Sequence, residues 1–334
     1  MTVRRLVIML AATALVGPGT PTAEAGPRAP AKAAPADRAQ QGDREATETV
    51  TRRFTVGPNG SLDLVNLAGD VVVTGGEEAE IQLEAVKYVK TGRGGARKLL
   101  ESVVIDASES SGRVEVRTLV RQPRGVHASV DYTIQVPAGT AVALKSLAGE
   151  VRVTKVGGDV QIETANGDII AIGVPRLVRV KSLAGNIHLE DAASPGALAA
   201  TTVSGDVKAS RVKARSVEVD SVSGNIVLEN TSCERANVRT ISGDVHFRGA
   251  LTPGGRYEFV SHSGDVVVGV QGRTGFELTA RTFSGEVRPE LPLRLVSDGG
   301  RPGRQSVKGT FGNGSALLLI KTFSGEVVVA ESKP

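Results

Sequence analysis

The sequence predicts an all-β fold: a parallel β-helix (β-solenoid) with coils of about 20 residues and an N-terminal β-rich cap. Three observations carry this. A short signature recurs ten times around one glycine: Gly69, Gly149, Gly167, Gly185, Gly205, Gly224, Gly243, Gly264, Gly285 and Gly325. From Gly149 to Gly285 the spacings are 18, 18, 20, 19, 19, 21 and 21 residues. Apolar residues also keep a fixed phase. At positions 7, 5 and 2 before the glycine and 2 and 4 after it, 48 of 50 residues are aliphatic, aromatic or alanine, the exceptions being His262 and Pro289. Each unit therefore reads as two short period-2 strands, each with one buried face, meeting at a corner just before the glycine.

Such a unit cannot stand alone. Five modest side chains contribute about 1.5–3 kcal/mol each when fully buried. Ordering ~20 residues costs about 1–2 kcal/mol per residue in backbone entropy. Stacking on neighbouring coils completes the strand hydrogen bonds and closes the interior. An antiparallel sandwich of hairpins is the competing fold, but stacking explains directly why the same residue type returns at the same phase.

The elements follow in chain order. Arg4 and Arg5 precede an apolar run of 11 residues, Leu6 to Val16, and Ala23-Glu24-Ala25 closes a small-residue stretch. That is the pattern of a cleaved signal peptide over residues 1–25. As a helix the run would be only about 16 Å long, short of a ~30 Å hydrocarbon core. Residues 26–52, rich in Ala, Pro and charge, read as a disordered linker. Residues 53–140 read as an N-terminal β region and cap, with strands at 81–89, 114–116 and 129–137 and loops at 91–95 and 108–112. Residues 96–105 fit either a helix or a strand. Residues 141–330 are the β-helix repeats, with 297–304 a loop in place of one coil.

Composition narrows the function. The 334-residue chain has one cysteine, no tryptophan and a net charge of +4, which falls to +3 without residues 1–25. One cysteine excludes an intrachain disulfide framework. Basic residues are interleaved with acids, so no nucleic-acid stripe exists. No later segment reaches 18 uncharged apolar residues, so no membrane span is expected.

The repeated [ST]-x-[SA]-G-[DEN]-[VI], preceded by DYTIQVPAGTAVALKSLAGEV at 131–151, resembles a family of bacterial exported β-strand-repeat proteins. That family is a domain of unknown function labelled "putative adhesin". The resemblance covers about residues 54–330 and implies a β-helix outside the cytoplasm, with no established catalytic residues.

The signature itself has chemistry. The ten glycines form a structural turn ladder, placed where φ is positive or backbones approach closely. Three residues before each stands Asn66, then Ser or Thr nine times from Ser146 to Thr322. A hydroxyl ladder that caps corner backbone groups explains them; nine nucleophiles do not. The residue after the glycine is acidic eight times and Asn at 186 and 225. Turn chemistry accounts for this column, with a Ca²⁺ ladder or an acidic binding strip at Asp206, Asp244, Asp265 and Glu286 as alternatives. His188 and His246 lie three repeats apart, roughly 14 Å at the strand spacing, too far for one zinc ion with ~2 Å bonds. His262 falls in an inward phase and reads as a core residue, and Cys233 falls between strands.

No HExxH, P-loop, GxSxG or GxGxxG occurs. The expectation is therefore a non-enzymatic exported scaffold of the periplasm or cell surface, adhesin-like or binding a polysaccharide or another envelope component, with no cofactor or metal. A β-helix polysaccharide lyase or hydrolase and an envelope-stress accessory protein are the alternatives. Oligomeric state and coil handedness are left open.

Overall fold

A computed structural model describes residues 45–57, 59–91, 94–121, 126–295 and 305–332. The expected signal peptide, residues 92–93 of the expected loop at 91–95, the expected loop at 297–304 and the first part of the linker lie outside the described residues. The linker's last part does not: residues 45–52 belong to strand β1 (Glu45–Thr55), a correction to the boundary at 52. Composition hid this strand because its threonines and charges face water.

The chain is all-β, and its strands join in one sheet wrapped into a solenoid-like body. The N-terminal elements are β2 (Ser61–Asn66), β3 (Val71–Gly76), β4 (Glu80–Thr91), α1 (Ala96–Leu100), β5 (Val103–Ser110), β6 (Arg113–Val120) and β7 (Val126–Pro137). The segment 96–105 thus supplies both a helical turn and the start of a strand. The expected loop at 108–112 shrinks to Ser111-Gly112, both at positive φ (53° and 77°), as a two-residue hairpin requires.

The repeats follow as strand pairs that flank each glycine. They are β8 (Ala141–Ala148) with β9 (Val151–Thr154), β10 (Val160–Asn166) with β11 (Ile169–Ile172), and β12 (Leu177–Ala184) with β13 (Ile187–Glu190). Next come β14 (Ala193–Ser204), β15 (Val207–Ser210), β16 (Lys213–Ser223), β17 (Ile226–Ser242), β18 (Val245–Ser263) and β19 (Val266–Gln271). The C-terminal strands are β20 (Phe276–Ser284), β21 (Val287–Pro289), β22 (Arg294–Leu295), β23 (Ser306–Phe311), β24 (Ala316–Ser324) and β25 (Val327–Glu331).

Each repeat pairs in parallel with its neighbour, not as a hairpin. Thr164 sits beside Ser146 and Ser182, and Ser182 beside Thr202, so equal positions align. The two ends break sequence order. At the N-terminal end, β2 and β3 lie between β6/β7 and β8/β9. At the C-terminal end the last repeat, β24/β25, slots between the Gly264 repeat and the Gly285 repeat. Beyond β7 the sheet turns antiparallel through β4 and then β1, and β5 covers β6 in the same sense.

The inward phase differs from expectation at one position. Residues 7 and 5 before the glycine and 2 and 4 after it fill the core, as at Val217, Val219, Ile226 and Leu228. In the Gly185 repeat a register shift turns Leu177 inward in place of Val178. The residue two before the glycine, expected inside, points to water, and the hydroxyl three before it is buried instead. The physical cause is the corner: a buried aliphatic there would leave the glycine carbonyl without a donor. In six repeats the hydroxyl supplies one, as Ser261 Oγ does to Gly243 O at 3.1 Å, whereas Ser146 bonds Ala148 O and the buried hydroxyls of Thr164 and Ser221 have no partner among the described residues. His262 therefore lies at the surface, not in the core. Cys233 lies within β17 and is buried, with its thiol pushed up to about 12 by desolvation.

Candidate functional site

The corner of the stack is built by the glycine ladder. All ten signature glycines have φ between 108° and 150°. A side chain at Gly205 would overlap the carbonyl of Gly185 in the neighbouring repeat, and the pattern recurs along the ladder. The backbones approach that closely because the glycine amide donates across the step, for example Gly205 N to Ser223 O at 3.0 Å.

The column after the glycine is part of the same corner. Asp168 Oδ1 accepts the amide of Asn186 at 2.7 Å, Asn186 Oδ1 that of Asp206 at 2.9 Å, and Asp206 Oδ1 that of Asn225 at 2.7 Å. Asp244 and Asp265 continue the staircase to Asp265 N (2.8 Å) and Glu326 N (2.7 Å). Asp and Asn interchange here because both present Oδ1 at the same reach. Where Glu stands, an arginine neutralises it: Arg152 and Arg288, each two residues on, reach Glu150 (2.7 Å) and Glu286 (3.0 Å), and Arg288 also reaches Glu326 of the neighbouring repeat (2.9 Å). The structure thus brings Asp206, Asp244 and Asp265 together as hydrogen-bond acceptors, whereas Glu286 sits at the far end against Arg288. Among the described residues, no group of three or more His, Cys, Asp or Glu is placed to hold a metal ion.

The feature that sequence phase missed is the row two before the glycine. In spatial order it runs Leu67, Leu147, Ala165, Leu183, Val203, Val222, Ile241, His262, Phe323, Phe283. Leu119, on the rung beyond Leu67, extends it. Leu147 and Ile241 are each 54% exposed and Phe283 69%. Eleven rungs at about 4.8 Å give a ridge roughly 48 Å long. Its C-terminal end is aromatic. Phe283 stacks on Phe323 with ring centroids 4.8 Å apart, and Phe323 on His262 at 4.9 Å.

Beside the ridge lies a row of serines. From Val203 onward each ridge residue is followed by an exposed serine: Ser204, Ser223, Ser242, Ser263, Ser324 and Ser284. Their hydroxyls make no hydrogen bond among the described residues, so each offers a free donor and acceptor. An exposed, mostly apolar row of this length is uncommon on a protein surface, which makes it the candidate binding surface. The only signal in the sequence was that every member save His262 is apolar, which is also what a core position looks like.

Carboxylates do not converge on this surface. Asp220 and Glu218 share a face of β16, and burial followed by the neighbouring Glu218 charge raises the Asp220 pKa, with Arg239 opposing. The charged row four before the glycine pairs across repeats, as in Lys145–Glu163 at 3.6 Å. On another side of the stack an open groove of about 740 Å³ is lined by Arg176, Lys213, Arg215 and Glu234; Arg176 is held by Asp159 at 2.6 Å. No helix among the described residues is long and apolar enough to cross a membrane.

The family described as Toastrack DUF4097 matches residues 61–330. No curated protein matches the chain. Among solved structures, a "putative adhesin" from Bacteroides fragilis is similar at 15% identity and a TM-score of 0.41, over 84% of this chain and 97% of that one. A "putative adhesin" from Parabacteroides distasonis gives 11% and 0.36, over 85% and 97% of the two chains. A "putative lipid binding protein" from the same species gives 9% and 0.34, over 85% and 97%.

Proposed function

The chain belongs to the Toastrack DUF4097 family, and from that premise we propose that it is an exported, non-enzymatic scaffold that binds a polysaccharide of the cell envelope along its ridge. The observation that carries this reading is the pairing of two rows in register. Apolar side chains stand beside serine hydroxyls that have no partner among the described residues. A polyhydroxylated polymer presents C–H faces and hydroxyls in alternation, and both rows match it. The regular ~4.8 Å rise suits an extended ligand better than a compact one.

The parallel repeats support winding as a parallel β-helix with coils of about 20 residues, which keeps every ridge residue at one corner. Export rests on the basic start, the apolar run and the Ala23-Glu24-Ala25 site, and puts the protein in the periplasm or at the cell surface. The staircase carboxylates are already accepting backbone amides, which favours binding over acid–base chemistry.

The test uses the purified chain with acidic and neutral polysaccharides and peptidoglycan, with Ca²⁺ present or chelated. Retention on one polymer class without soluble fragments is expected. A triple variant, Leu183→Ser, Ile241→Ser and Phe323→Ser, should lose at least about tenfold in affinity, or 1.4 kcal/mol. Its melting temperature should fall by only a few degrees with the fold retained, because all three side chains are about half exposed. Release of fragments would replace this reading with that of a lyase or hydrolase. Undiminished retention of the triple variant would remove the ridge as the site.

A further inference from the structure

Among the described residues the stacked sheet has four terminal strands, and three of them are poorly suited to further pairing. β21 is three residues long and ends at Pro289, which has no amide to donate. β22 has two residues. β5 is longer, but its charges are Asp106 and Glu109, so two copies would repel.

β1 differs. It runs 11 residues and, among the described residues, pairs on one edge only, with β4, in an unbroken register from Glu45 opposite Lys90 to Thr55 opposite Glu80. It carries no proline and no bulge, and it holds both signs of charge: Glu45 and Glu48 toward one end, Arg52 and Arg53 toward the other. Reversed against itself, such a strand is self-complementary.

We propose that β1 is the seam of a homodimer, in which the β1 strands of two copies pair antiparallel about a two-fold axis at Val50. Residues directly opposite in an antiparallel pair share a face. The axis must therefore pass through a residue, not between two. Through Val50, it sets Glu48 of each copy against Arg52 of the other, Ala46 against Phe54, Thr49 against Thr51, and Val50 against itself. Glu48 already faces Lys87 at 3.1 Å within its own chain. Arg52, opposite Leu83, makes no ion pair among the described residues. Dimerisation supplies that missing partner and completes a row of alternating charge, Lys87–Glu48–Arg52, across three strands. An axis through Thr49 would pair Glu45 with Arg53, but it sets Glu48 against Val50 and Arg52 against Ala46. Glu45 is also already engaged by Lys90 at 2.6 Å. An isologous contact of this kind closes at two copies and leaves the repeats of each running away from the seam.

Sedimentation of the purified chain should give twice the mass of the single chain, falling to one on dilution. Exchange protection of the amides of residues 46–54 should fall with it. Arg52→Glu and Glu48→Arg should each be monomeric alone, since each sets like charges opposite one another. Mixed, they should form a heterodimer, because every Glu then meets an Arg; that outcome also shows that both variants are folded. Arg53→Glu should remain dimeric. A wild-type chain that stays monomeric at all concentrations overturns the proposal. So does a dimer indifferent to Arg52→Glu, or one lost in Arg53→Glu, which would mark the Thr49 axis.

Discussion

Asp206 stands between Asn186 Oδ1, which accepts its amide at 2.9 Å, and the amide of Asn225, which it accepts at 2.7 Å. The role needs an Oδ1 and not a charge. Asp206→Asn should therefore leave stability unchanged, whereas Asp206→Ala should cost about 1 kcal/mol in urea unfolding. Adding or chelating Ca²⁺ should move neither value. Asp220 carries the opposite sign of argument. Burial and Glu218 raise its pKa in the folded chain, so protonation favours folding. The cost of the ionised carboxylate is full at neutral pH and is relieved as pH falls through the raised pKa. Asp220→Asn should raise Tm at pH 7 slightly, on the order of 1 °C given its partial exposure. The gain should vanish in acid; a gain that persists there would assign the effect to packing. Both residues were visible in the sequence as charges at a phase. Their different roles were not, because each role depends on what the adjacent repeat places about 5 Å away.

Between elements, the last strand pair is the one whose position least resembles its place in the chain. β24 and β25 lie between the Gly264 and Gly285 repeats, with Ser261 beside Thr322 and Thr322 beside Thr282. Removing a terminal repeat from an ordinary stack exposes one new edge. Ending this chain after Phe311 would strip neighbours from both β18/β19 and β20/β21. We expect the truncated chain to lose its cooperative transition in thermal circular dichroism and to be cleaved by protease within residues 276–311. An intact, merely destabilised core that still protects 276–311 would show that the Gly285 repeat can dock directly on the Gly264 repeat. The spacing of 40 residues between Gly285 and Gly325 signalled an irregularity. It could not signal an exchange of order, since an in-order detour and a returning strand leave the same periodicity. The N-terminal reversal, with β2/β3 inside β6/β7, was hidden for the same reason. β1 was hidden by composition, since its outward threonines and charges match those of a linker.

Across the whole molecule, regular stacking turns a weak local pattern into a surface. One Leu–Ala–Gly or Val–Ser–Gly corner offers little to a ligand; eleven aligned rungs make a continuous strip. By itself the sequence determined the repeat, the glycine at each corner, the inward positions at 7 and 5 before it and 2 and 4 after it, and the hydroxyl ladder. Those follow from steric and hydrogen-bond rules that act within one repeat or between identical ones. The tertiary structure decided which way the residue two before the glycine faces, which strand lies beside which at the two ends, and which strands form the edges among the described residues. The reason is physical: an apolar residue next to a corner has the same local propensity pointing in or out. In six of the repeats the neighbour, by presenting a glycine carbonyl that accepts a hydroxyl hydrogen bond, holds the Ser or Thr inside, and the ridge is left in water.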